Sequence, residues 1–543
     1  MRPTTNRQRR AASRTGAPVY RSPLAWALAV LFALTAVSAE AAEGPPPSNV
    51  ILICVDTLRA DRLHCYGHSR ATSPWIDRLA AGGVLFEQAI AQANWSFPSY
   101  SSLFTSLYPP SLRARKSATG SPAGQGGGSR SLAEIFKACG YATAGFVSGG
   151  CLSPGLGFAA GFDTYDSTPF MGSFSHTVPA AIDWLARSGE QPFFLVVHGY
   201  DVHGPYLPPL GFGEMFDPGY RGLVHQPGFL QPRLLVRLHD GAYEPADQIA
   251  FSPSVELDSL TPARRRAVLP PFDPSNRWRP GPTGPALSPA ASELAIPPGA
   301  VEIGPGGLPF ETPTLVRRPG KEDVEHLRAH YDGALTYADT WLGVLFQSLE
   351  ASGTASRTVL VLLGDHGEDL GEHGRFDHGV ELHDNLLHVP LVVSGPGLAR
   401  GRRVARVVEL LDVAPTLLDL CGLPPAHWHR GRSLSGLLRE EEPVPPPAGP
   451  EPAAFSFDTG QASLRTARWH LIRKAGTPPS EQLFDLASDP FESKDVSKDN
   501  PDEVSELRGR LLDLAEESMA RERPDPASLS EEERSFMGVM GYW

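Results

Sequence analysis

Asn49-Val50-Ile51-Leu52-Ile53-Cys54-Val55-Asp56 is an unbroken apolar run that ends on a carboxylate. Strand-length apolar runs without alternation belong to sheets covered on both faces, which parallel α/β sheets are. Such sheets gather their ligand sites beyond the carboxyl ends of the strands. The run therefore predicts a buried strand that delivers Asp56 to a site, with Cys54 as plain core. The pattern recurs twice: residues 358–363 lead to Asp365 and His366, and residues 192–198 lead to His198 and further polar residues. Periodicity and turn residues predict helices at 74–81, 132–139, 179–187, 321–351 and 410–421, the last stopped by Gly422 and Pro424. Further strands are expected at 84–91, 141–147 and 389–393. Strands alternating with helices predict an α/β fold with a large, mixed but mostly parallel sheet flanked by helices.

The second informative stretch is Asn94-Trp95-Ser96-Phe97-Pro98-Ser99-Tyr100. Proline is favoured in the first turn of a helix, so Pro98 places Ser96 at a helix N-terminus. Free backbone N–H groups and the positive end of the helix dipole would face an anion there. The plain reading of such a serine is an N-cap. The reading that carries chemistry is a nucleophile for a sulfate or phosphate ester. Asn94-Trp95-Ser96 also fits a glycosylation sequon, a coincidence if the site is buried.

The runs 49–62, 96–109, 364–374 and 410–423 resemble, in order and spacing, the sulfatase family of the alkaline-phosphatase superfamily. The likeness extends over residues 48–520 and implies one divalent cation, Ca²⁺ or Mn²⁺/Mg²⁺ ahead of Zn²⁺, held by Asp56, Asp365, His366 and Ser96. Oxygen donors with one imidazole suit such a cation. It also implies that Ser96 is the nucleophile position, which the family oxidises to formylglycine. The hydrated aldehyde attacks sulfur and then expels sulfate. The oxidising enzymes recognise a proline two residues on and an arginine four on; here Pro98 is present and Tyr100 replaces the arginine. Thr57 replaces a second acid, which leaves a sparser set resembling the phosphonate- and phosphodiester-cleaving branch. An unmodified Ser96 can attack phosphorus, but a sulfated serine has no easy exit.

In His198-Gly199-Tyr200-Asp201-Val202-His203-Gly204-Pro205-Tyr206, a histidine before Pro-Tyr is similar to the family's site histidine, so His203 is expected as general acid. His198 reads as structural, or as a substrate contact beside Tyr100. Arg59 could bind the anion or sit at the surface. His378 stands where relatives often place a lysine that grips the anion, and a histidine there is a weaker, pH-dependent cation. Glu372, His373 and Asp377 lie near it in sequence. Three readings follow: a sulfuric ester hydrolase acting on a sulfated glycan, a phosphodiesterase, phosphonate esterase or phosphotransferase with unmodified Ser96, and a catalytically silent binding protein.

Length, charge and composition bound the rest. The 543 residues suffice for a large domain and a smaller companion. Six arginines precede the first acid, Glu40, and the apolar run 24–37 and small residues 37–39 follow, which reads as a signal peptide over 1–39. A membrane contact is expected only if that segment is uncleaved; otherwise the protein is periplasmic or extracellular. Taking those six from 48 basic residues leaves 42 against 61 acidic ones, a net charge of −19 against −13 for the whole chain. So acidic a protein is a poor general binder of nucleic acid, and its anionic ester partner must meet local cations. Of the five cysteines, Cys139 and Cys151 are the pair weighed for a disulfide. Gly and Pro, 54 each, signal long irregular loops. They concentrate in 208–318, an insertion in the catalytic domain 48–440, either solvent-exposed or a flap over substrate. A Pro/Glu linker precedes a C-terminal subdomain, 453–543, expected as a small antiparallel sheet with a helix at 501–519.

Overall fold

The structure, a computed structural model, describes residues 49–109, 130–168, 171–204, 206, 208–209, 211–220, 321–440, 451–458 and 460–519. Within 230–317 it describes the backbone of four strands. Residues 1–39, expected as a signal peptide, the Gly/Ser-rich loop at 117–129 and most of the Pro/Glu linker and the 208–318 insertion lie outside these residues.

In chain order the strands are β1 (Asn49–Val55), β2 (Val84–Ile90), β3 (Ala142–Phe146), β4 (Thr164–Asp166), β5 (Phe193–Gly199), β6 (Leu230–His239), β7 (Ala242–Pro253), β8 (Ala300–Glu302), β9 (Leu315–Arg317), β10 (Thr358–Gly364), β11 (Asp369–Leu370), β12 (Phe376–Asp377), β13 (His388–Ser394), β14 (Arg402–Glu409), β15 (Ala454–Asp458), β16 (Gln461–Arg465), β17 (Trp469–Lys474) and β18 (Ser480–Asp485). Eight form one sheet in the order β14-β2-β13-β10-β1-β5-β3-β4. Only β13 runs against its neighbours; the other pairings are parallel. β1 lies at the centre, and the register pairs Val55 with Gly364 on one side and with Gly199 on the other. Three strand ends therefore finish level, and the residues that follow them meet.

Alternation along β1 splits the core into two layers. Val50, Leu52 and Cys54 pack with Tyr100, Leu103, Phe136 and Leu417, from the helices Ser96–Thr105, Leu132–Ala138 and Val413–Leu420. Ile51, Ile53 and Val55 pack with Ile76, Val178, Leu335 and Leu342, from the helices Pro74–Ala81, Phe174–Leu185 and Lys321–Ala351. At ~25 cal/mol per Å² of apolar surface buried, this two-sided burial is the main favourable term.

Several expectations shift. The helix expected from 179 begins at Phe174 and carries Pro179 inside it. Its true start is set by Ser173, whose hydroxyl accepts from Ser175 N, while Asp201 accepts from Phe174 N at 2.8 Å. A tertiary carboxylate thus caps the helix, which local sequence does not show. Leu410–Asp412 is a separate turn of 3₁₀ helix before Val413–Leu420. Strand β14 adds an unanticipated edge beside β2. Within the insertion, β6–β9 form a four-stranded sheet in the order β8-β6-β7-β9, where little regular structure was expected. All five cysteines are free, so Cys139 and Cys151 are not bridged. Among the described residues no helix is long and apolar enough to cross a membrane.

β15–β18 form the small antiparallel sheet, covered by the helix Pro501–Met519 through Val504, Leu507, Leu511 and Ala515. Phe484 and Ile472 of this sheet also pack on Leu382, Leu387 and Ile90 of the main body. Beside that contact lies a buried carboxylate, Glu492. It accepts from His383 Nδ1 at 2.9 Å, from Asp384 N at 2.8 Å and from His470 Nδ1 at 2.5 Å. Burial acts to raise its pKa, but the two histidines outweigh burial and hold it well below the usual value. A group depressed in this way stabilises above its unfolded pKa of about 4.3 and loses that contribution as pH falls. Replacement of Glu492 by Ala is expected to cost about 3 kcal/mol in urea unfolding at pH 7. The gap between variant and parent should close as the pH falls below about 4.

Candidate active site

Asp56 follows β1 and Asp365 follows β10, so the parallel register sets the two carboxylates side by side. Both are fully buried. The chain can close on itself here because residue 364 is glycine: a Cβ would meet the Leu58 carbonyl at 2.5 Å. Thr57, between them, takes a positive φ of 56° and turns its N–H onto Asp365 Oδ1 at 3.1 Å. That conformation costs a β-branched residue roughly 1–2 kcal/mol. It is braced by Tyr331, whose hydroxyl donates to Thr57 O at 2.8 Å and accepts from Arg59 N at 3.0 Å.

Ser96 is the first residue of its helix, and the cap position belongs to Trp95, which makes no side-chain cap. The hydroxyl is thus not spent as an N-cap. It lies 3.1 Å from His366 Nε2 and 3.5 Å from Asp56 Oδ1. His366 Nδ1 meets the Gly367 carbonyl at 2.8 Å, so it carries the hydrogen and Nε2 presents a lone pair. Burial and the nearby His378 charge push the His366 pKa down to about 3, which keeps that lone pair free. Asn94 is buried and donates to Glu381 O, which leaves the sequon without an exposed amide.

His198 is buried behind Asp56. Its Nδ1 accepts from Ser148 N at 3.3 Å, so Nε2 bears the hydrogen and donates to Asp56 Oδ2 at 3.2 Å. Tyr100, one turn into the helix and fully buried, donates to the same oxygen at 3.4 Å. Both residues orient Asp56: His198 takes the structural one of its two expected readings, and Tyr100 is buried beside it on the same carboxylate oxygen. Burial acts to raise the Asp56 pKa, but the His198 hydrogen bond and the charges of His203 and His366 bring it down to about 2. Asp365 goes the other way: burial and the Asp56 charge raise it well above the usual carboxylate range.

These residues fit a divalent cation. Asp56, Asp365 and His366 present one donor atom each within 4.8 Å of one another. Asp365 Oδ2 is buried with no hydrogen-bond partner, an unusual state for a carboxylate oxygen. Ser96 stands close enough to join them. The Thr57 hydroxyl is likewise buried and unpartnered.

His203 and His378 are brought to the same side. Their rings stand edge-on with centroids 4.9 Å apart, and the His378 ring lies 4.5 Å from that of His366. His378 Nδ1 is 3.0 Å from both Glu368 Oε1 and Asp377 Oδ1. Burial would lower its pKa, but those two carboxylates raise it well above the usual value, a stronger cation than histidine at this position suggested.

Four expected neighbours do not join. Arg59 is neither at the surface nor free for an anion: its guanidinium is buried, donating to Asp61, Glu372 and the Glu368 carbonyl. Glu372 also holds Arg328, and His373 turns to the carbonyls of Phe491 and Glu492. Asp201 caps the helix at Phe174. Sequence reasoning missed Glu368, two residues past His366, and Cys151, whose thiol lies against Ser96 and is pushed up to about 11 by burial and then by Asp56 and Asp365. No local pattern marks either; both are brought in by the turns that follow the strands.

The family model described as Sulfatase matches residues 48–423, well over half of the chain. The protein belongs to the sulfatase family. Similar proteins include arylsulfatase K of Gallus gallus, 33% identical over 196 residues, covering 34% of this chain and 36% of that protein. Arylsulfatase K of Homo sapiens is 32% identical over 200 residues, covering 35% and 37%. The sulfatase matched here thus spans little more than a third of the length of these curated relatives. Among solved structures, a phosphonate monoester hydrolase of Agrobacterium radiobacter has a TM-score of 0.62 at 22% identity, covering 87% of this chain and 96% of its own. A protein solved with its substrate D-glucosamine-2-N,6-O-disulfate has a TM-score of 0.62 at 18% identity, covering 89% and 99%. Both share the fold.

Cation binding to the native state alone must raise stability, by about 2.7 kcal/mol at a hundred times Kd. Thermal melts with added Mn²⁺ or Ca²⁺ should show that gain in the parent protein and lose it in Asp365→Ala.

Proposed function

We propose that this sulfatase is an exported, cation-dependent hydrolase of sulfuric esters, acting at Ser96 on a sulfated glycan. The observation that supports it most is the Ser96 hydroxyl, uncapped at a helix N-terminus and 3.1 Å from His366 Nε2. Asp56, Asp365 and His366, with Ser96, would hold the cation. When bound, it supplies Lewis-acid polarisation of the ester oxygens and favours the nucleophile as its anion. Ca²⁺, Mn²⁺ and Mg²⁺ match the two carboxylates; the imidazole extends the range towards Zn²⁺.

The protein's own groups act as follows. The N–H groups at the start of the helix Ser96–Thr105 face the anionic ester. His198 and Tyr100 fix the Asp56 carboxylate. The bond formed joins the oxygen at residue 96 to sulfur; the bond broken joins sulfur to the leaving oxygen. His203 gives that oxygen its proton, and His378 lies beside it as a positive charge. Release of sulfate needs residue 96 as formylglycine, whose hydrate carries a second hydroxyl to expel the product. The arginine-rich start and apolar run 24–37 support export.

A second reading is favoured by Thr57. With one acid fewer beside Asp56 and an unmodified Ser96, the same scaffold would cleave a phosphodiester or phosphonate ester through a phosphoserine. The mass of the peptide around residue 96 decides between them. A deficit of two hydrogens marks formylglycine and supports sulfate; an intact serine points to phosphorus. Paired aryl sulfate and aryl phosphonate assays with Mn²⁺ should agree with that mass. Ser96→Ala should lower the favoured activity by roughly 10³-fold or more. Turnover of neither ester by metal-loaded protein would favour a binding role.

A further inference from the structure

The residues on either side of Ser96 are aromatic, and the reaction above leaves both unused. Trp95 holds the cap position of the helix in an extended conformation and makes no side-chain cap. It is half-buried, and among the described residues its indole N–H has no hydrogen-bond partner. The ring is supported on one side by Phe97, whose centroid lies 6.1 Å away at a tilt of 30°. Phe97 meets Phe158 edge-on at 5.8 Å, and Phe158 packs on Phe104 of the core.

Next to Trp95 runs the turn that follows His378. Gly379 takes a positive φ of 83° and donates to Asn94 O at 3.1 Å. A Cβ on it would stand 3.9 Å from the Trp95 Cβ. Asn94 Nδ2 donates back to Glu381 O at 2.6 Å, and Gln461 donates to Val380 O at 2.6 Å. Three hydrogen bonds thus fix the turn, yet Val380 is left 45% exposed. A lone exposed valine needs no explanation, but this one is held on the turn that ties His378 to Trp95. His203 and His378 face the leaving oxygen, so the group that carries this oxygen passes beside that turn. Trp95 is the large apolar surface there. The C–H bonds on one face of a pyranose are weakly positive and suit the negative face of an indole, whose N–H can donate to a ring hydroxyl. An open-chain alcohol covers far less of that face.

We propose that Trp95, backed by Phe97 and flanked by Val380, is the platform on which the sugar ring bearing the ester stacks. It selects esters borne on a pyranose over open-chain esters of like reactivity. The inference rests on the reading of Ser96 as the reacting residue, and adds what the protein grips besides the anion. It holds for a sulfate and for a phosphodiester.

The test compares methyl glucoside 6-sulfate with ethyl sulfate, both esters of primary alcohols, and the corresponding pair of methyl phosphodiesters. Trp95→Ala is expected to lower the ratio of kcat/KM for the sugar ester to that for the ethyl ester about tenfold, mostly through KM. Trp95→Phe, which keeps a smaller face, should recover most of that ratio. An equal loss on both esters, or no loss on either, would overturn the platform. Binding is read apart from turnover. In the full-length Ser96→Ala protein, saturation-transfer NMR with methyl glucoside 6-sulfate should reach the ring C–H protons, and adding Trp95→Ala should abolish that transfer. Transfer that survives Trp95→Ala, or none in either protein, overturns the platform and leaves the hydrolase reading standing. Transfer lost with Trp95→Ala in a protein that cleaves neither pair upholds the platform and removes the hydrolysis proposed above.

Discussion

Two carboxylates, Asp56 and Asp365, are buried together at the ends of adjacent parallel strands with no Lys or Arg between them among the described residues. Bringing ionised carboxylates out of water costs several kcal/mol each. The neutral partners at hand offset part of that cost: the Thr57 amide on Asp365, and the His198 ring and Tyr100 hydroxyl on Asp56. The raised pKa of Asp365 and the lowered one of Asp56 show what remains. The pair settles as close to one negative charge as it can, and a divalent cation would relieve it. The two-layered core bears the strain. A thin or one-sided sheet, with less apolar burial, would not hold two such groups dry.

That dependence explains what could be read in the chain and what could not. β1 and β10 were legible because burial on both faces writes itself as an unbroken apolar run, and each run ends on its acid. The helices Pro74–Ala81, Lys321–Ala351 and Pro501–Met519 match their expected limits because periodicity and end signals are local. Ser96 was legible through Pro98. The residues placed wrongly are those whose role is fixed by a distant partner. Asp201 stands between His198 and His203 in sequence, but is drawn to the start of a helix some 27 residues earlier in the chain. Arg59 looked free until Asp61 and Glu372 closed on it. Pro179 looked like a helix start because nothing nearby shows that Ser173 and Asp201 begin the helix sooner.

The C-terminal sheet contributes in a way that its distance in sequence conceals. Glu492 fastens His383 and the amide of Asp384. Arg465 of β16 holds the Asp384 carboxylate at 2.8 Å. His373 stacks on His383 with centroids 3.9 Å apart and reaches the carbonyls of Phe491 and Glu492. The segment between His373 and His383 carries Asp377 and His378. Both of its ends are therefore pinned by the C-terminal subdomain, while its middle meets the Asn94 carbonyl through Gly379 N and brings His378 to His366. A group that must sit within about half an ångström of its working position is better held from two sides than left to a loop.

Thr57 stands where the family resemblance implies a second acid. The residue stays fully buried in a left-handed conformation that a threonine resists, and Tyr331 holds it there. The backbone of the site thus holds a strained shape at a residue whose own hydroxyl is buried with no partner. A threonine in place of a carboxylate leaves the pocket less negative, which eases entry of any anionic ester. It does not choose between esters, because a sulfate monoester and a phosphodiester both present a tetrahedral centre with a single negative charge. The difference lies in the exit. A phosphoserine can be relieved by water at phosphorus, whereas a sulfated serine needs a neighbouring hydroxyl on the same carbon. The identity of the reaction is therefore carried by the chemical state of residue 96, and the surrounding fold is compatible with both.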